Sequence, residues 1–445
     1  MPRLVIGSTA EAERHCEVFV IGCGPAGSTI SALLAQKGRD VAVVDKEHHP
    51  RFHIGESLLP QNMPLLEQLG VWEELVRIGI RKDAAEFESH THNKTVRFAF
   101  AEAFDKRWPH AFQVRRSEFD HMLLRNAAAK GARVFEGARV SAVTFGDFAK
   151  GEDTLITLQV DDGSTQQWRT RYLVDASGRD TFLSNRFGIK QKNRKHASAA
   201  IFGHFRNARR NAGSAEGNIT IVWFEHGWFW FIPLKDGTTS VGAVCWPAYL
   251  NSRRTDPTTF LMQTIALSPE ISARLVDAEL TAPVTATGNY SYQSSRMCGD
   301  GYLLIGDAWA FIDPVFSSGV HLAMNSAKLG AGVVDGVLAD PARAPQLHRE
   351  FDRTVRRGVR TFSWLIYRMT SPVIRKLFMA PRNVWGVQSA VVSLLAGDVF
   401  RRGPITPRLY LFRAIYYVNF LGTLPTAIRA WFKHRRDVRA SAEGV

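Results

Sequence analysis

Glu17-Val18-Phe19-Val20-Ile21-Gly22-Cys23-Gly24-Pro25-Ala26-Gly27 decides the fold, because a short apolar run leads at once into glycines spaced G-x-G-x-x-G. The run reads as a buried strand, the glycines as a tight turn, and Ser28 to Lys37 as the helix that follows. Gly22 permits the turn, Gly24 lets the backbone approach a pyrophosphate, and Gly27 allows close helix-to-strand packing. Ala26 lies in the same turn, at a helix start whose dipole faces phosphates. A second apolar run, Val41-Ala42-Val43-Val44, ends in Asp45, 23 residues beyond Gly22, where an acid bonds ribose hydroxyls. Strand, turn, helix, strand and acid together predict dinucleotide binding, with NAD and FAD both open at this point.

The rest of the composition is that of an ordinary globular chain. At 445 residues and 45% hydrophobic content it can bury a large core divided into two or three packed units. Cys16, Cys23, Cys245 and Cys298 are scattered without C-x-x-C spacing, so neither a disulfide framework nor a zinc site is indicated, and no metal is expected. The first residues lack the apolar core of a secretion signal and read as a loose extension in a cytoplasmic protein. Fifty-six Lys and Arg against 42 Asp and Glu give a formal charge of +14, a field that attracts an acidic partner. No nucleic-acid module is recognisable, which leaves anionic lipid or an acidic protein.

Three further segments bear on the cofactor. Arg51-Phe52-His53-Ile54-Gly55-Glu56-Ser57-Leu58-Leu59-Pro60 resembles the flavin-contacting loop of glutathione-reductase-like FAD enzymes, the halogenases and hydroxylases. Gln113-Val114-Arg115-Arg116-Ser117-Glu118-Phe119-Asp120 resembles the segment where that family places a flavin-binding arginine, with Arg116 fitting best and Arg115 the near alternative. Gly301-Tyr302-Leu303-Leu304-Ile305-Gly306-Asp307-Ala308 resembles the strand whose aspartate bonds the flavin ribityl chain. The resemblance implies FAD, held by Gly22, Gly24, Ala26, Gly27, Asp45, Lys46, Arg51, Ser57, Arg116, Val140, Asp307, Pro314 and Gly319. It also implies an α/β fold: a glutathione-reductase-like Rossmann FAD domain, an inserted mixed-sheet substrate domain and a helical C-terminal region.

Gly227-Trp228-Phe229-Trp230-Phe231-Ile232-Pro233-Leu234 contains the Trp-x-Trp-x-Ile-Pro signature of flavin-dependent halogenases. Alternation in a strand puts Trp228 and Trp230 on one face. That face can wall the flavin off from the substrate, although two tryptophans filling a core would give the same pattern. Phe311-Ile312-Asp313-Pro314-Val315-Phe316-Ser317-Ser318-Gly319 resembles the family's second signature, where turn amides at Ser318 and Gly319 suit a halide; serine capping of a helix would satisfy the same residues. Leu173-Val174-Asp175-Ala176-Ser177-Gly178-Arg179 has the halogenase form where the hydroxylases carry Asp-Gly. Arg81-Lys82-Asp83-Ala84 resembles the segment bearing the family's lysine, so Lys82 joins Trp228 and Trp230 as a candidate catalytic residue. Without that context a lysine in a sheet-edge segment is a solvated charge.

The resemblance implies that reduced FAD from a separate flavin reductase reacts with dioxygen to a flavin hydroperoxide, which oxidises chloride or bromide to hypohalous acid for Lys82 to hold. Phe316 stands where the tryptophan branch carries a glutamate, which points to phenols or pyrroles. Such rings stabilise their own cationic intermediate, and the substrate is often tethered to an acidic acyl or peptidyl carrier protein that a +14 surface would steer. The alternatives are an FAD-dependent aromatic monooxygenase, a prenyl-chain flavin reductase, or a flavin-holding protein without catalysis.

The expected layout is a flexible extension over 1–15; an FAD domain from 16–80, 110–180 and 285–345; a substrate sheet from 81–109 and 181–284; and a helical region over 346–445. Leu409 to Ile428 holds one charge, Arg413, and precedes the basic run Lys433-His434-Arg435-Arg436. Arg413 and Pro425 interrupt it, so docking on the protein, or contact with a membrane surface that would place the enzyme peripherally on the inner face, is expected over spanning.

Overall fold

The computed structural model describes residues 14–193, 198–288, 291–401, 403–422, 429 and 432. The opening apolar run is the strand Arg14–Ile21, which takes Arg14 and His15 into the sheet although they fall in the stretch expected to be an extension. It pairs in parallel with Val41–Val44 on one side and Thr165–Asp175 on the other. The sheet continues to Arg133–Phe135 at one edge and, past Tyr302–Leu304, to Cys298–Gly299 at the other. The helix Pro25–Ala35 forms the crossover. A Cβ on Gly27 would fall 1.8 Å from the Gly22 carbonyl oxygen, so only a glycine lets this helix close onto its strand.

A second sheet runs in the order Glu279–Leu280, Ala199–Arg206, Thr239–Cys245, Gly227–Pro233, Ile219–Phe224, Ala84–Ser89, Lys94–Ala99. Thr285–Gly288 pairs with Ala199–Arg206 and so belongs to this sheet, not to the dinucleotide unit in which a boundary at 285 would place it. Gly79–Lys82 pairs with Ala111–Val114 in a separate two-stranded ribbon, so Lys82 lies outside the second sheet proper. Lys190–Lys192 likewise leaves the second sheet and joins Tyr292–Ser294 and Ala310–Phe311 in a small sheet of three strands.

Every residue of Gly227–Pro233 is buried, because both faces of the second sheet are covered. Phe229 and Phe231 pack with Phe260, Leu261 and Ile271 on one face, while Trp228, Trp230 and Ile232 join the main core on the other. The period-two alternation thus directs two tryptophans toward the dinucleotide unit.

The helices Ser318–Ala339, Ala344–Ile366, Pro372–Met379, Val387–Leu395 and Ile405–Gly422 build the C-terminal region. Phe378 packs against Phe87 and Phe98 at 5.0 Å, which closes the sheet face beside Trp223. Ile405–Gly422 docks through Leu409, Phe412 and Tyr416, and Arg413 lies over the Trp364 ring at 5.1 Å. Its outer face exposes Tyr410, Tyr417, Val418 and Leu421. Among the described residues no helix is long and apolar enough to cross a membrane; the run Lys433 to Arg436 lies outside them.

Gly242 lies on the tryptophan face of Thr239–Cys245, opposite Trp230 and Phe202 in the neighbouring strands. A Cβ there would fall 2.3 Å from the Trp230 ring and 2.5 Å from Phe202 Cβ. Gly242→Ala is expected to displace Trp230 and destabilise the protein by about 1–3 kcal/mol. Denaturant unfolding together with near-ultraviolet circular dichroism checks this; a variant with unchanged midpoint and unchanged aromatic signal would show that the ring does not rest on the glycine.

Candidate functional site

The glycine turn, the loop after Asp45, the helix start at Arg116 and the tryptophan face of the second sheet converge on one cavity of about 840 Å3. That volume suits a large organic ligand. Gly22, Gly24 and Ala26 line it, and Gly22 needs its backbone φ of +97° to make the turn. A Cβ on Gly24 would meet only Arg51 Nη2, at 3.7 Å, so the backbone stands open to the cavity. Gly27 is used for packing instead.

Asp45 ends its strand with both carboxylate oxygens engaged: Oδ2 accepts the Cys23 N–H at 2.7 Å and Oδ1 the Glu47 N–H at 3.0 Å. Arg51 reaches across the loop to pair with Glu47 at 3.1 Å, with Asp45 at 3.9 Å and Asp120 at 3.8 Å. Lys46 pairs with Asp180 at the rim, and Val140 contributes apolar wall.

The two adjacent arginines part company. Arg116 is buried at the first turn of the helix Arg116–Ala129. Its Nε and Nη2 donate to Asp120 at 2.7 and 2.9 Å, and Nη1 donates to the Ile54 carbonyl at 2.8 Å. Arg115 instead bonds Asp236 and Thr238. Arg116 is therefore the cavity arginine. Asp307, across the cavity, is pushed up to about 6 by burial, against the opposing pull of Arg116 and Arg179. An open glycine backbone, a cavity-lining acid at the end of its strand, a buried arginine and a half-buried aspartate are a donor and acceptor set that suits a flavin dinucleotide.

Trp228 and Trp230 line the same cavity, with ring centroids 6.1 Å apart. Trp230 is fixed by its Nε1–H, which donates to Ser240 Oγ at 3.1 Å. At the far wall Asp313 begins a short turn, Pro314–Phe316, by accepting the Val315 N–H, and Ser317 follows with φ +55°. Pro314, Ser317 and Gly319 face the cavity, whereas the Ser318 side chain is buried in the start of Ser318–Ala339. The first amides of that helix lack acceptors within the helix by construction. Phe316 is buried in the core.

Lys82 is buried, at 1% exposure. Its Nζ donates to Ser57 Oγ at 2.9 Å and to the Leu58 carbonyl at 3.0 Å, and lies 5.2 Å from the Phe100 ring centroid. No carboxylate pairs with it in these contacts, and burial lowers the amine to about 7. Ser57 lines the cavity and Lys82 does not, so the amine sits one side chain behind the wall.

Residues that the sequence does not single out complete the wall. Phe52 stacks on Phe202 at 6.3 Å. Arg179 lines the cavity and ties it to the second sheet through Thr287 Oγ1 and the Gly288 carbonyl. Glu56, also in the wall, bonds His204 at 2.7 Å. Glu56 and Phe52 stand inside the recognisable flavin loop, but nothing local announces His204 or Gly242, whose roles depend on cross-strand neighbours.

Comparison with known proteins fits this geometry. A family model for an FAD binding domain matches residues 15–334. A 1H-pyrrole-2-carbonyl-[peptidyl-carrier protein] chlorinase of Pseudomonas fluorescens is 30% identical over 418 residues, covering 87% of this chain and 90% of that protein. A tryptophan 2-halogenase of Chondromyces crocatus is 34% identical over 345 residues, 75% of this chain, and the aligned region spans 64% of its length. Among solved structures, the myxobacterial chondrochloren halogenase superposes with a TM-score of 0.76 at 30% identity, over 90% of each chain.

A buried lysine with no counter-ion among the described residues also marks stability. Its folded value of about 7 lies below the ordinary 10.5, so between these values the unfolded chain binds a proton that the folded chain does not. Stability therefore rises with pH through that window and is flat below it. Relative to Lys82→Met, the wild-type protein is expected to gain up to about 1.4 kcal/mol per pH unit above pH 7. Denaturant titrations at pH 6, 7, 8 and 9 check this, and parallel curves for the two proteins would refute it.

Proposed function

Because the chain belongs to the flavin-dependent halogenases, we propose that it chlorinates or brominates an electron-rich ring, phenol or pyrrole in type, presented on an acyl or peptidyl carrier protein. The observation that carries the reading is the Lys82 amine, buried, lowered to about 7, and bonded to a serine of the cofactor cavity. At neutral pH such a lysine is substantially the free amine, with a lone pair to hold an electrophilic halogen.

FAD, when bound in reduced form with dioxygen and halide present, supplies the oxidised halogen. The chain's own residues confine and direct it. Trp228 and Trp230 present apolar wall on one side, and the helix start at Ser318 and Gly319 offers amides to a halide on another. Ser57 Oγ, touching both the cavity and Lys82 Nζ, is the point of transfer between them.

Phe316 supports a ring that needs no carboxylate to stabilise its cationic intermediate. The carrier-bound form is supported by the relative whose name specifies a pyrrolyl group on a peptidyl carrier protein and by the net charge of +14, which would steer an acidic carrier in a salt-dependent manner. A separate flavin reductase supplies the reduced cofactor.

The test is mass spectrometry of reactions containing the protein, FAD, a flavin reductase, NADH, dioxygen and chloride or bromide, against free and carrier-tethered pyrroles and phenols. A halogen isotope pattern on a tethered ring is expected. Lys82→Ala is expected to lose at least about 100-fold in rate while still binding FAD. Halogenation of free rings alone removes the carrier, and a hydroxylated product formed without halide removes the halogenase reading itself.

A further inference from the structure

The C-terminal helices take no part in the chemistry above, yet they carry the charge of the molecule. Residues 353–436 hold sixteen Lys and Arg and one acid, Asp398, so this stretch alone accounts for the net charge of +14. Exposed apolar side chains concentrate in the same stretch. Of thirteen large ones exposed among the described residues, eight lie between Tyr367 and Phe432.

The helix Ile405–Gly422 brings the two together. Ile405, Leu409, Phe412 and Tyr416 are its buried face. Tyr410, Ala414, Tyr417, Val418 and Leu421 fall at i, i+4, i+7, i+8 and i+11, which places them on the opposite face, and all five are exposed. A helix apolar on both faces is the kind that is covered on both. The polar groups beside the outer face are cations. Arg413 lies over the Tyr410 ring at 5.3 Å, and Arg368 donates to the Tyr417 hydroxyl at 3.2 Å. At the other end of the helix Arg408 donates to the carbonyl of Trp385, a residue 76% exposed. The remaining contacts of these arginines are rings and carbonyls, and no carboxylate pairs with them among the described residues.

A phospholipid surface satisfies both features at once: apolar side chains enter the acyl boundary while guanidinium groups stay at the phosphates. The cations are spread over the helices Ala344–Ile366, Pro372–Met379 and Ile405–Gly422. That spread suits an extended layer of anions rather than the few acids of a single protein partner. Among the described residues no helix is long and apolar enough to cross a bilayer, so contact is with its surface. We propose that the outer face of Ile405–Gly422, with the arginines beside it, docks on an anionic phospholipid surface. Such docking is independent of the reaction and of the substrate, so either reading can fail alone.

Flotation of the full-length protein with vesicles of phosphatidylcholine and phosphatidylglycerol at about 3:1, and with phosphatidylcholine alone, provides the test. Partitioning is expected to be at least about tenfold stronger with the anionic vesicles and to weaken as salt is raised. Val418→Glu combined with Leu421→Glu is expected to lower it at least about tenfold, and Leu421→Ser, which keeps the charge, about fivefold. Both sites are exposed, so circular dichroism of the variants is expected to match the wild type. Absence of flotation at low salt, or undiminished flotation of both variants, overturns docking through this face. So does a wild-type dimer that the variants separate into monomers while vesicle binding is unchanged, which gives the face to a second copy. Loss of binding to an acidic acyl carrier protein with vesicle binding unchanged gives it to the carrier instead.

Discussion

The nine residues Arg51 to Leu59 are bonded both to the dinucleotide unit and to the second sheet, the two units that border the cofactor cavity, and the arrangement of the site depends on that loop staying where it is. Its backbone exchanges hydrogen bonds with the strand Ala111–Val114, from Leu58 N–H to the Phe112 carbonyl and from Val114 N–H to the Glu56 carbonyl. Its side chains then divide the neighbourhood: Arg51 to the acids of the dinucleotide unit, Phe52 and Glu56 to the second sheet, Ser57 to Lys82. Gly55 makes this possible. Its φ is +108°, and a Cβ would stand 3.0 Å from Arg116 Nη1, which at that moment is bonding the Ile54 carbonyl. A side chain here would strain the loop and push the cavity arginine aside.

The buried charges around the loop fall into two kinds. Arg116 and Asp120 satisfy one another in a two-pronged pair, so their charge is fixed and serves as scaffold. Lys82 and Asp307 have no such partner, and burial moves both toward neutrality, the lysine down to about 7 and the aspartate up to about 6. Groups poised near neutral pH at a cavity are those able to exchange protons or ligands there. Asp307 lines the cavity and Lys82 stands one side chain behind it through Ser57, while the Arg116–Asp120 pair shapes the wall without leaving a charge uncompensated; unpaired buried charge is otherwise a cost without return.

Much of this was legible in the chain. The strand, glycine turn and acid from Glu17 to Asp45 declare themselves because a βαβ unit is local: its strands, turn and helix follow one another within thirty residues. The tryptophan pair at 228 and 230 is legible for the same reason, since alternation is a property of one strand. Burial of Lys82 was not, because the segment reads as a sheet edge; it follows from the ribbon with Ala111–Val114 and from Leu58 and Phe100, contacts made at long sequence separation. Gly242 shows the limit most plainly. Nothing near it in sequence explains a glycine in the middle of a buried strand, and the reason appears only when Trp230 and Phe202 arrive from the strands on either side.

The boundary at 285 was misplaced for a related reason. Thr285–Gly288 adds to the second sheet, and Arg179, in the turn Gly178–Asp180 that follows the strand Thr165–Asp175, bonds both Thr287 and Gly288. The two units are therefore interleaved at the cavity rim and cannot be divided by cutting the chain once. The C-terminal helices repeat the pattern on the other side. Phe378 inserts among Phe87, Phe98 and Trp223 on the same sheet face that carries Trp228 and Trp230. That face is thus shared by the cavity at one end and by a helix at the other. Phe378 of the helix Pro372–Met379 packs against Trp223, and Trp223 is the cross-strand neighbour of Trp228 in the cavity wall, so the helix and the cavity are separated by one pair of side chains.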